Sequence, residues 1–298
     1  MICEVCGSNN YTEIGIIKNI WKNDKKVYQC SNCRLYFIDQ PTDEEIYLLY
    51  KNEYHNNIKN KLFEKAKSKM RYARSLSQFN FVSKYIDCTN KKVCEIGAFD
   101  GLLLSIFKKY GCDVYGYELN DNARDYAKAK YNIDLKPNFL ESEEKYDIIM
   151  LSHVIEHFKN TSEILLKIKN MLKPNGYLYI EVPNSPMKDQ CSYEMLMRYL
   201  STEHIVNFNK DNLIKFIEKA GLNIIQSSYS NYKVPINNGM LRANILEGSL
   251  PNMNNIFSFS IFALKMLISP KSIFIDYSDN NNIWSYGENI RVISNLKN

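Results

Sequence analysis

The sequence predicts an α/β protein with a Rossmann-like sheet, preceded by a four-cysteine zinc ribbon and followed by a small C-terminal extension. Three observations support this prediction. Two CxxC pairs lie close to the N-terminus. From Lys92 onward, short apolar runs alternate with amphipathic segments, as in a parallel sheet covered by helices. The first of these runs ends in a turn that contains Gly97 and Gly101.

Four segments are expected along the 298 residues. The zinc ribbon occupies 1–40, a helical linker or lid 41–90, the cofactor-binding core 91–230, and a C-terminal strand and extension 231–298. The linker contains Thr42 followed by Glu45, a capping-box pattern that predicts the start of a helix. After about residue 230 the apolar pattern weakens, so the last segment is the least defined by sequence.

Strands are predicted at the short apolar runs of the core, and helices at the amphipathic segments between them. The run 146–151 is the most apolar, whereas the signal for the third strand is weak. Residues 173–176 contain the Pro and Gly that commonly follow a helix. The predicted strands are 93–97, 113–118, 133–135, 146–151, 177–182, 222–228 and 240–246, and the helices are 101–110, 121–130, 161–172 and 211–220.

Composition restricts the classes of function. The formal net charge is +5 and the basic residues are spread along helical stretches, so a nucleic-acid partner is not expected. The longest apolar run, 256–268, is interrupted by polar residues and is too short to span a bilayer. The N-terminus lacks the pattern of a signal peptide. We therefore expect a cytoplasmic protein with reduced thiols, and a homodimer is compatible with the sequence.

Cys3-x2-Cys6 and Cys30-x2-Cys33 have the spacing of a zinc site. Each CxxC pair turns the backbone so that two thiolates face one ion, and two pairs complete a tetrahedral set of four sulfurs. Because all four positions are protein ligands, the zinc is expected to be structural rather than catalytic. A redox or disulfide role for the same cysteines is the alternative.

The turn after the first core strand is the predicted cofactor loop. Parallel sheets bind ligands at the carboxyl ends of their strands, where the strand order reverses. Gly97 allows the backbone to come close to a ligand, and Gly101 allows a tight helix start. Glu118 ends the second predicted strand, and a carboxylate there can accept hydrogen bonds from both hydroxyls of a ribose.

The charges of this loop favour S-adenosylmethionine over a dinucleotide. A nicotinamide site needs G-x-G-x-x-G so that pyrophosphate can approach the helix N-terminus. Phe99 stands where the second glycine would be, and Glu95 and Asp100 add negative charge. Carboxylates repel pyrophosphate but attract the ammonium and sulfonium groups of the methyl donor. A tight turn without any ligand is the other alternative.

Four stretches resemble class I S-adenosylmethionine-dependent methyltransferases. They are EIGAFDGLLL (95–104), GYEL (116–119), YDIIMLSHVIEH (146–157) and LKPNGYL (172–178). The first is similar to the variant found in sugar-nucleotide methyltransferases that carry a CxxC…CxxC zinc domain in front. The resemblance covers residues 1 to about 230. It implies a Rossmann-like class I methyltransferase sheet, S-adenosylmethionine as cofactor, and a sugar nucleotide or other small molecule as substrate.

The resemblance also implies which residues hold each part of the donor. Glu118 is expected to hold the ribose, and Ser152 and His153 to line the methionine end. Asn138 and Phe139 are expected beside the adenine. The complete expected donor site is Glu95, Gly97, Ala98, Asp100, Gly101, Glu118, Leu119, Asn138, Phe139, Ser152 and His153.

A methyltransferase must also align its acceptor and remove a proton from it, and histidine suits this near neutral pH. Glu203-His204 lies between the fifth strand and the next helix and resembles the Y-x-E-H motif of zinc-bearing sugar C-methyltransferases, whose histidine is the proposed base. Ser201 stands where their tyrosine would be. His204 is therefore the first candidate base, with Glu203 beside it and His157 as the second candidate. A role for His204 in orienting the loop or substrate is the alternative.

The expected reaction is methylation of a hydroxyl, or of an activated carbon, on a sugar nucleotide or similar polar metabolite in surface-polysaccharide biosynthesis. The similar C-methyltransferases carry a further α/β domain, whereas this sequence ends soon after 283–287, which is similar to the opening strand of that domain. A shortened relative with its own acceptor is therefore expected.

Two other functions are considered. A zinc-ribbon RNA methyltransferase would pair the same two modules, but the sequence lacks a basic stripe and the N/D-P-P-Y/F motif after the fourth strand. A binding module with a degenerate methyltransferase domain is the third hypothesis. The intact Glu95, Gly97, Gly101 and Glu118 argue against it.

Overall fold

Two β-sheets organise the described part of the protein, one in the N-terminal ribbon and one in the core. The structure is a computed structural model that describes residues 1–53, 61–232, 274–277 and 289–296. The ribbon and linker contain β1 Tyr11–Ile17, β2 Lys25–Cys30, β3 Tyr36–Ile38, α1 Asp43–Glu53 and α2 Lys61–Tyr85. The first half of the core contains β4 Lys92–Ile96, α3 Leu102–Lys109, β5 Asp113–Tyr117, α4 Asp121–Tyr131, β6 Tyr146–Ser152 and a 3-10 turn at Ile155–His157.

The remaining elements complete both sheets. They are α5 Thr161–Asn170, β7 Leu172–Pro183, α6 Tyr193–Leu200, β8 Val206–Asn207, α7 Lys210–Lys219, β9 Leu222–Tyr232, β10 Phe274–Tyr277 and β11 Asn289–Leu296. The core sheet has the order β10-β9-β11-β7-β6-β4-β5. Strands β5, β4, β6 and β7 are parallel, and β11 runs antiparallel to both β7 and β9. This arrangement confirms the predicted Rossmann-like class.

The strand order reverses at β4, which lies between β5 and β6. A ligand site is expected beyond the carboxyl end of β4, because the loops on either side of such a switch point diverge and leave a crevice. The residues that follow β4, β5, β6 and β7 all meet at this edge of the sheet.

Both faces of the sheet are covered, which explains the near-continuous apolar runs of the central strands. Ile149 and Leu151 of β6 pack in one cluster with residues of the ribbon, α5 and α7. Ile148 and Met150, which point to the opposite face, pack with residues of α2 and α3. The ribbon therefore contributes to the main hydrophobic core.

Several predicted bounds differ from the structure. The weak third strand at 133–135 is replaced by a single bridge from Lys136 to Tyr117. Helix α5 ends at Asn170 and β7 begins at Leu172, so the predicted turn at 173–176 belongs to the strand. The predicted strand at 240–246 lies outside the described residues.

Strand β11 was missed by the sequence prediction, although it lies inside the core sheet. It pairs with β7 from Asn289↔Pro183 to Asn295↔Tyr177, and with β9 on its other side. A charged residue, Arg291, interrupts its apolar pattern, which weakened the strand signal. The segment 231–298, predicted as a C-terminal strand and extension, thus supplies a central strand.

The ribbon sheet is completed by a strand from the core. Strands β1, β2 and β3 form an antiparallel meander, and β8 adds to its edge with Tyr36 opposite Asn207 and Phe37 opposite Val206. The two-residue strand β8 was not predicted, because its partner lies far away in sequence. The ribbon is therefore joined directly to the segment that follows His204.

The predicted capping box of the linker is confirmed. The Thr42 N–H donates to Glu45 Oε2 at 2.8 Å, and the Glu45 N–H donates to Thr42 Oγ1 at 3.2 Å. The buried Glu45 carboxylate also accepts hydrogen bonds from Lys25 Nζ at 2.8 Å and Asn23 Nδ2 at 3.0 Å. The start of α1 is thereby fixed to the ribbon. No helix within the described ranges is long and apolar enough to cross a membrane.

Candidate functional site

The loop after β4 depends on glycine. Gly97 and Gly101 both have φ of +72°, a conformation that glycine adopts without strain. A Cβ on Gly97 would lie 2.4 Å from Val154 Cγ2 in the loop after β6. A Cβ on Gly101 would lie 3.0 Å from the Cβ of Ala127 in α4. The two glycines therefore permit both the turn and its close packing against neighbouring segments.

Glu118 joins the ends of β4 and β5. Its Oε2 accepts a hydrogen bond from the Phe99 N–H at 2.8 Å, and its Oε1 accepts one from the Asn120 N–H at 2.9 Å. Each carboxylate oxygen has a second lone pair, so the group retains capacity to accept hydrogen bonds from a ligand. Leu119 beside it is exposed.

Three acidic side chains converge at this end of the sheet. Glu95, Asp100 and Glu118 are only 5%, 8% and 8% exposed. Burial raises the pKa of Glu95 well above its ordinary value, and the charges of Asp100 and Glu118 raise it further. Arg71 Nη1 lies 2.9 Å from Asp100 Oδ2 and balances one of the three. The arrangement favours a positively charged ligand, because a cation would relieve the mutual repulsion.

Ser152 and His153 lie at the carboxyl end of β6. Ser152 Oγ accepts hydrogen bonds from Gln78 Nε2 at 2.7 Å and Arg74 Nη2 at 3.1 Å. His153 has φ of +56°, and its backbone N–H donates to the Glu181 backbone carbonyl at 2.8 Å. Burial, with the nearby Arg74 charge, lowers the pKa of His153 to about 4. The ring is therefore neutral near pH 7.

Asn138 and Phe139 follow the bridge residue Lys136, on the far side of β5. Phe139 is buried and packs edge-on against Tyr117 and Phe158, with ring centroids 6.3 and 5.7 Å away. Asn138 Oδ1 accepts a hydrogen bond from the Leu140 N–H at 3.0 Å. Phe139 thus links the end of β5 to the segment that follows β6.

The predicted catalytic residues come together after β6 and before β8. The His157 and His204 rings meet edge to face with centroids 4.8 Å apart. His204 Nδ1 lies 3.4 Å from Asn207 Oδ1, and its Nε2 lies 3.9 Å from Glu203 Oε1. The Glu156 side chain lies beside the two histidines. One atom of each of the three side chains that could bind a metal lies within 4.8 Å of the other two.

Burial dominates the protonation of this group. It lowers the pKa of His204 and lowers that of His157 well below its ordinary value. The same burial raises the pKa of the Glu156 carboxyl to about 8. Both histidines are therefore neutral near pH 7 and can accept a proton or bind a cation.

The structure adds a buried ion network that sequence reasoning missed. Glu181 is fully buried, and its Oε1 accepts from Arg74 Nε at 2.9 Å while its Oε2 accepts from Arg291 Nε at 2.5 Å. Tyr179 OH also donates to Oε2 at 2.8 Å. The sequence signal for this network was a charged residue inside an apolar run, which occurs in both β7 and β11. Arg74 lies on α2, which thereby reaches the carboxyl ends of β6 and β7.

The four N-terminal cysteines form one cluster. The sulfurs of Cys3 and Cys33 are 3.4 Å apart, and those of Cys6 and Cys30 are 3.5 Å apart. All four sulfurs lie within 4.8 Å of one another. A tetrahedral zinc site with bonds of about 2.3 Å separates its sulfurs by roughly 3.8 Å, so the cluster is consistent with a zinc ribbon.

Comparison with known proteins identifies the family. The family model described as "Methyltransferase domain" matches residues 60–227, which is more than half of the chain. A relative named ubiquinone biosynthesis O-methyltransferase from Bartonella tribocorum is 26% identical over 174 residues, covering 53% of this chain and 70% of the relative. A protein of the same name from Glaesserella parasuis is 29% identical over 149 residues, covering 44% of this chain and 61% of that protein.

A solved structure has the same fold. It is described as a SAM-dependent methyltransferase from Thermotoga maritima and aligns with a TM-score of 0.51 at 15% sequence identity. The alignment covers 85% of this chain and 98% of that structure. At this identity the likeness concerns the fold alone.

Proposed function

The chain belongs to the class I S-adenosylmethionine-dependent methyltransferases, and from this premise we propose that it methylates a hydroxyl of a sugar nucleotide or similar polar metabolite. The observation that carries the proposal is the pairing of two sites at one edge of the sheet. The acidic loops after β4 and β5 suit a cationic donor. The buried histidine group after β6 suits an acceptor that must lose a proton.

The donor fits the chemistry of its loops. S-Adenosylmethionine carries ammonium and sulfonium charges, which the carboxylates of Glu95 and Asp100 would favour. Glu118 would accept hydrogen bonds from the ribose hydroxyls through its remaining lone pairs. Ser152 and His153 would line the methionine end, with Asn138 and Phe139 beside the adenine. When bound, the donor supplies the methyl group, and its sulfonium becomes a neutral thioether.

A polar cleft beside the end of β7 supports a sugar-like acceptor. The cleft is small, with a volume of about 200 Å³. Its lining carries amide, hydroxyl and charged groups of both signs, which suit hydrogen bonding to sugar hydroxyls. Residues of the ribbon and of the core contribute to it, among them Arg34, Asn184, Ser185, Asp189, Gln190 and Lys210.

The histidine group would activate the acceptor. An acceptor oxygen held beside His204 and His157 would lose its proton to this group as the oxygen forms its bond to the methyl carbon. His204, placed by Asn207, remains the first candidate to receive that proton, and Glu203 lies beside it. The names of the relatives favour an oxygen acceptor over carbon.

The ribbon would hold one structural zinc ion. Cys3, Cys6, Cys30 and Cys33 supply four sulfurs at suitable separations, and four protein ligands leave no open position for catalysis. The ion would stabilise the ribbon, which has β8 of the core as its fourth strand.

The proposed reaction is tested with the full chain and methyl-labelled S-adenosylmethionine. The acceptor panel contains nucleotide-linked sugars, sugar phosphates, a catechol and RNA, and products are analysed by mass spectrometry. We expect one methyl ether on a nucleotide-linked sugar. Exclusive methylation of the catechol or of RNA would overturn the acceptor class. Failure to bind S-adenosylhomocysteine in calorimetry would overturn the proposal as a whole.

A further inference from the structure

We propose that Glu156, His157 and His204 bind a divalent transition-metal ion, which is separate from the ribbon zinc and activates the acceptor hydroxyl. This inference rests on the proposed methyl transfer and specifies how its acceptor site works. One ligand atom from each side chain lies within 4.8 Å of the other two. Two imidazoles and one carboxylate are a common ligand set for divalent first-row metals, with further positions open to substrate.

Glu156 lacks the partner that a buried carboxylate needs. The side chain is 1% exposed, and neither of its oxygens has a hydrogen-bond partner among the described residues. An ionised carboxylate buried without a partner is costly, so such a group either stays protonated or is paired with a cation. His153 Nδ1, at 3.8 Å, is too far to be a hydrogen-bond donor. A cation between Glu156 and the two histidines would supply the missing partner.

The two histidines are arranged as ligands. His157 Nδ1 is buried and also has no hydrogen-bond partner within the described part of the chain. His204 Nδ1 faces Asn207 Oδ1 at 3.4 Å, which would hold the proton on Nδ1 and leave Nε2 as the metal ligand. Such an acceptor behind a liganding histidine is a regular feature of metal sites.

The backbone holds both halves of the site together. The Ile205 N–H donates to the Glu156 carbonyl at 2.9 Å, and the Ile38 N–H of the ribbon donates to the Ile205 carbonyl at 3.0 Å. Metal bonds of about 2.1 Å place ligand atoms roughly 3.0–3.4 Å apart, so atoms that are up to 4.8 Å apart would approach one another by up to about 1.4–1.8 Å through side-chain rotation. The imidazoles favour zinc, iron or cobalt over magnesium and calcium.

The ion would act as a Lewis acid on the acceptor. It would bind the acceptor hydroxyl and lower its pKa, so that the proton passes to the nearby Glu203 carboxylate. The oxygen lone pair then forms the bond to the methyl carbon, and the carbon–sulfur bond breaks with its electrons on sulfur. Both histidines would be metal ligands in this scheme, so Glu203 would replace His204 as the group that receives the proton.

Cobalt provides a direct test because its spectrum separates the two sites. Full-length protein with zinc in the ribbon is titrated with Co²⁺ alone, and visible absorption and metal content are measured. We expect one Co²⁺ per chain, with d–d bands but no thiolate charge-transfer band. Cobalt in the ribbon would show the thiolate band instead.

Variants at the ligands complete the test. His204→Gln and Glu156→Gln should each weaken Co²⁺ binding on the order of 100-fold or more, and Asn207→Leu about tenfold. The surface variant Glu163→Gln should bind Co²⁺ as the unmodified chain does. Calorimetry with S-adenosylhomocysteine checks that each variant is folded.

Two results of the cobalt titration overturn the proposal. One is the absence of Co²⁺ binding by the zinc-loaded chain, and the other is unchanged Co²⁺ binding by His204→Gln. Methyl transfer by protein that holds zinc only in the ribbon would also overturn it, while leaving the proposed methyl transfer intact. Absence of S-adenosylhomocysteine binding by the unmodified chain would contradict the proposed methyl transfer itself.

Discussion

At the scale of single residues, the turn of the proposed donor site requires glycine at positions where a side chain would be strained or would clash. Gly97 and Gly111 both have positive φ, +72° and +86°. The two positions differ in the space around them. A Cβ on Gly97 would lie 2.4 Å from Val154 Cγ2, whereas no atom lies within 4 Å of a Cβ on Gly111. Substitution of both glycines by alanine therefore distinguishes the cost of backbone strain, which they share, from the cost of a steric clash, which only Gly97 would have.

Gly97→Ala should lower the free energy of unfolding by about 2–4 kcal/mol, because strain and a clash with Val154 act together. Gly111→Ala, the matched control, should cost only about 1 kcal/mol, since strain acts alone. Urea denaturation measures both values. Calorimetry should also show donor binding lost in Gly97→Ala and kept in Gly111→Ala. Equal effects of the two substitutions would contradict the steric argument.

Glu118→Gln should weaken binding of S-adenosylhomocysteine about 100-fold, because a neutral amide makes weaker hydrogen bonds with the ribose than a carboxylate does. The amide oxygen can still accept one of the two backbone hydrogen bonds, so the fold should survive. Glu143→Gln, an exposed substitution, is the control. Isothermal titration calorimetry measures the affinity, and a change of less than threefold would remove Glu118 from the donor site.

At the scale of elements, the capping box of α1 has a second role. Hydrogen bonds from Lys25, the Thr42 backbone and Asn23 outweigh the effect of burial and lower the pKa of Glu45 to about 2. A carboxyl whose pKa falls on folding stabilises the protein when ionised. That contribution is complete above its ordinary value of 4.5 and is lost as the pH falls from 4.5 towards 2.

Glu45→Gln should therefore lower the free energy of unfolding by about 3 kcal/mol at pH 7, since it leaves Lys25 buried without its counter-charge. The difference from the unmodified chain should shrink as the pH is lowered from 5 to 3. Urea denaturation across that range measures it. Glu44→Gln, whose pair with Lys22 is exposed, should change stability by less than about 1 kcal/mol. A difference that does not depend on pH would contradict the assignment.

At the scale of the whole molecule, the ribbon and the candidate acceptor site are connected by strand pairing. Pairing of β3 with β8 places the ribbon directly beside the segment that carries His204. The proposed donor loops after β4 and β5 make no such pairing with the ribbon among the described strands. Damage to the ribbon should thus affect catalysis more than donor binding.

Cys33→Ser should reduce the rate of methyl transfer at least tenfold while changing donor affinity by less than about threefold, because it removes one of the four proposed zinc ligands and loosens the pairing with β8. Cys112→Ser is the control, since serine keeps the donor that bonds to the Cys88 carbonyl at 3.1 Å. Steady-state rates and calorimetry supply the two readouts. Equal loss of rate and of donor affinity would contradict this coupling.

Local patterns in the sequence predicted much of the fold and part of the candidate site. The capping box at Thr42 and Glu45, the two CxxC pairs, and the glycine turn after β4 are each encoded by residues close together in the chain. The parallel strands were found for the same reason, since a buried strand forms a continuous apolar run. These features depend on local backbone preference and on burial, which short stretches of sequence reveal.

The tertiary structure alone decided the pairings between distant residues. Glu181 meets Arg291 and Arg74 only because β11 inserts beside β7 and α2 crosses the sheet edge. His157 meets His204 where the Ile205 N–H donates to the Glu156 carbonyl, which joins two segments far apart in the sequence. A charge inside an apolar run indicates that a partner exists, but its identity depends on strand order and register. Long-range packing fixes these, and local sequence does not encode them.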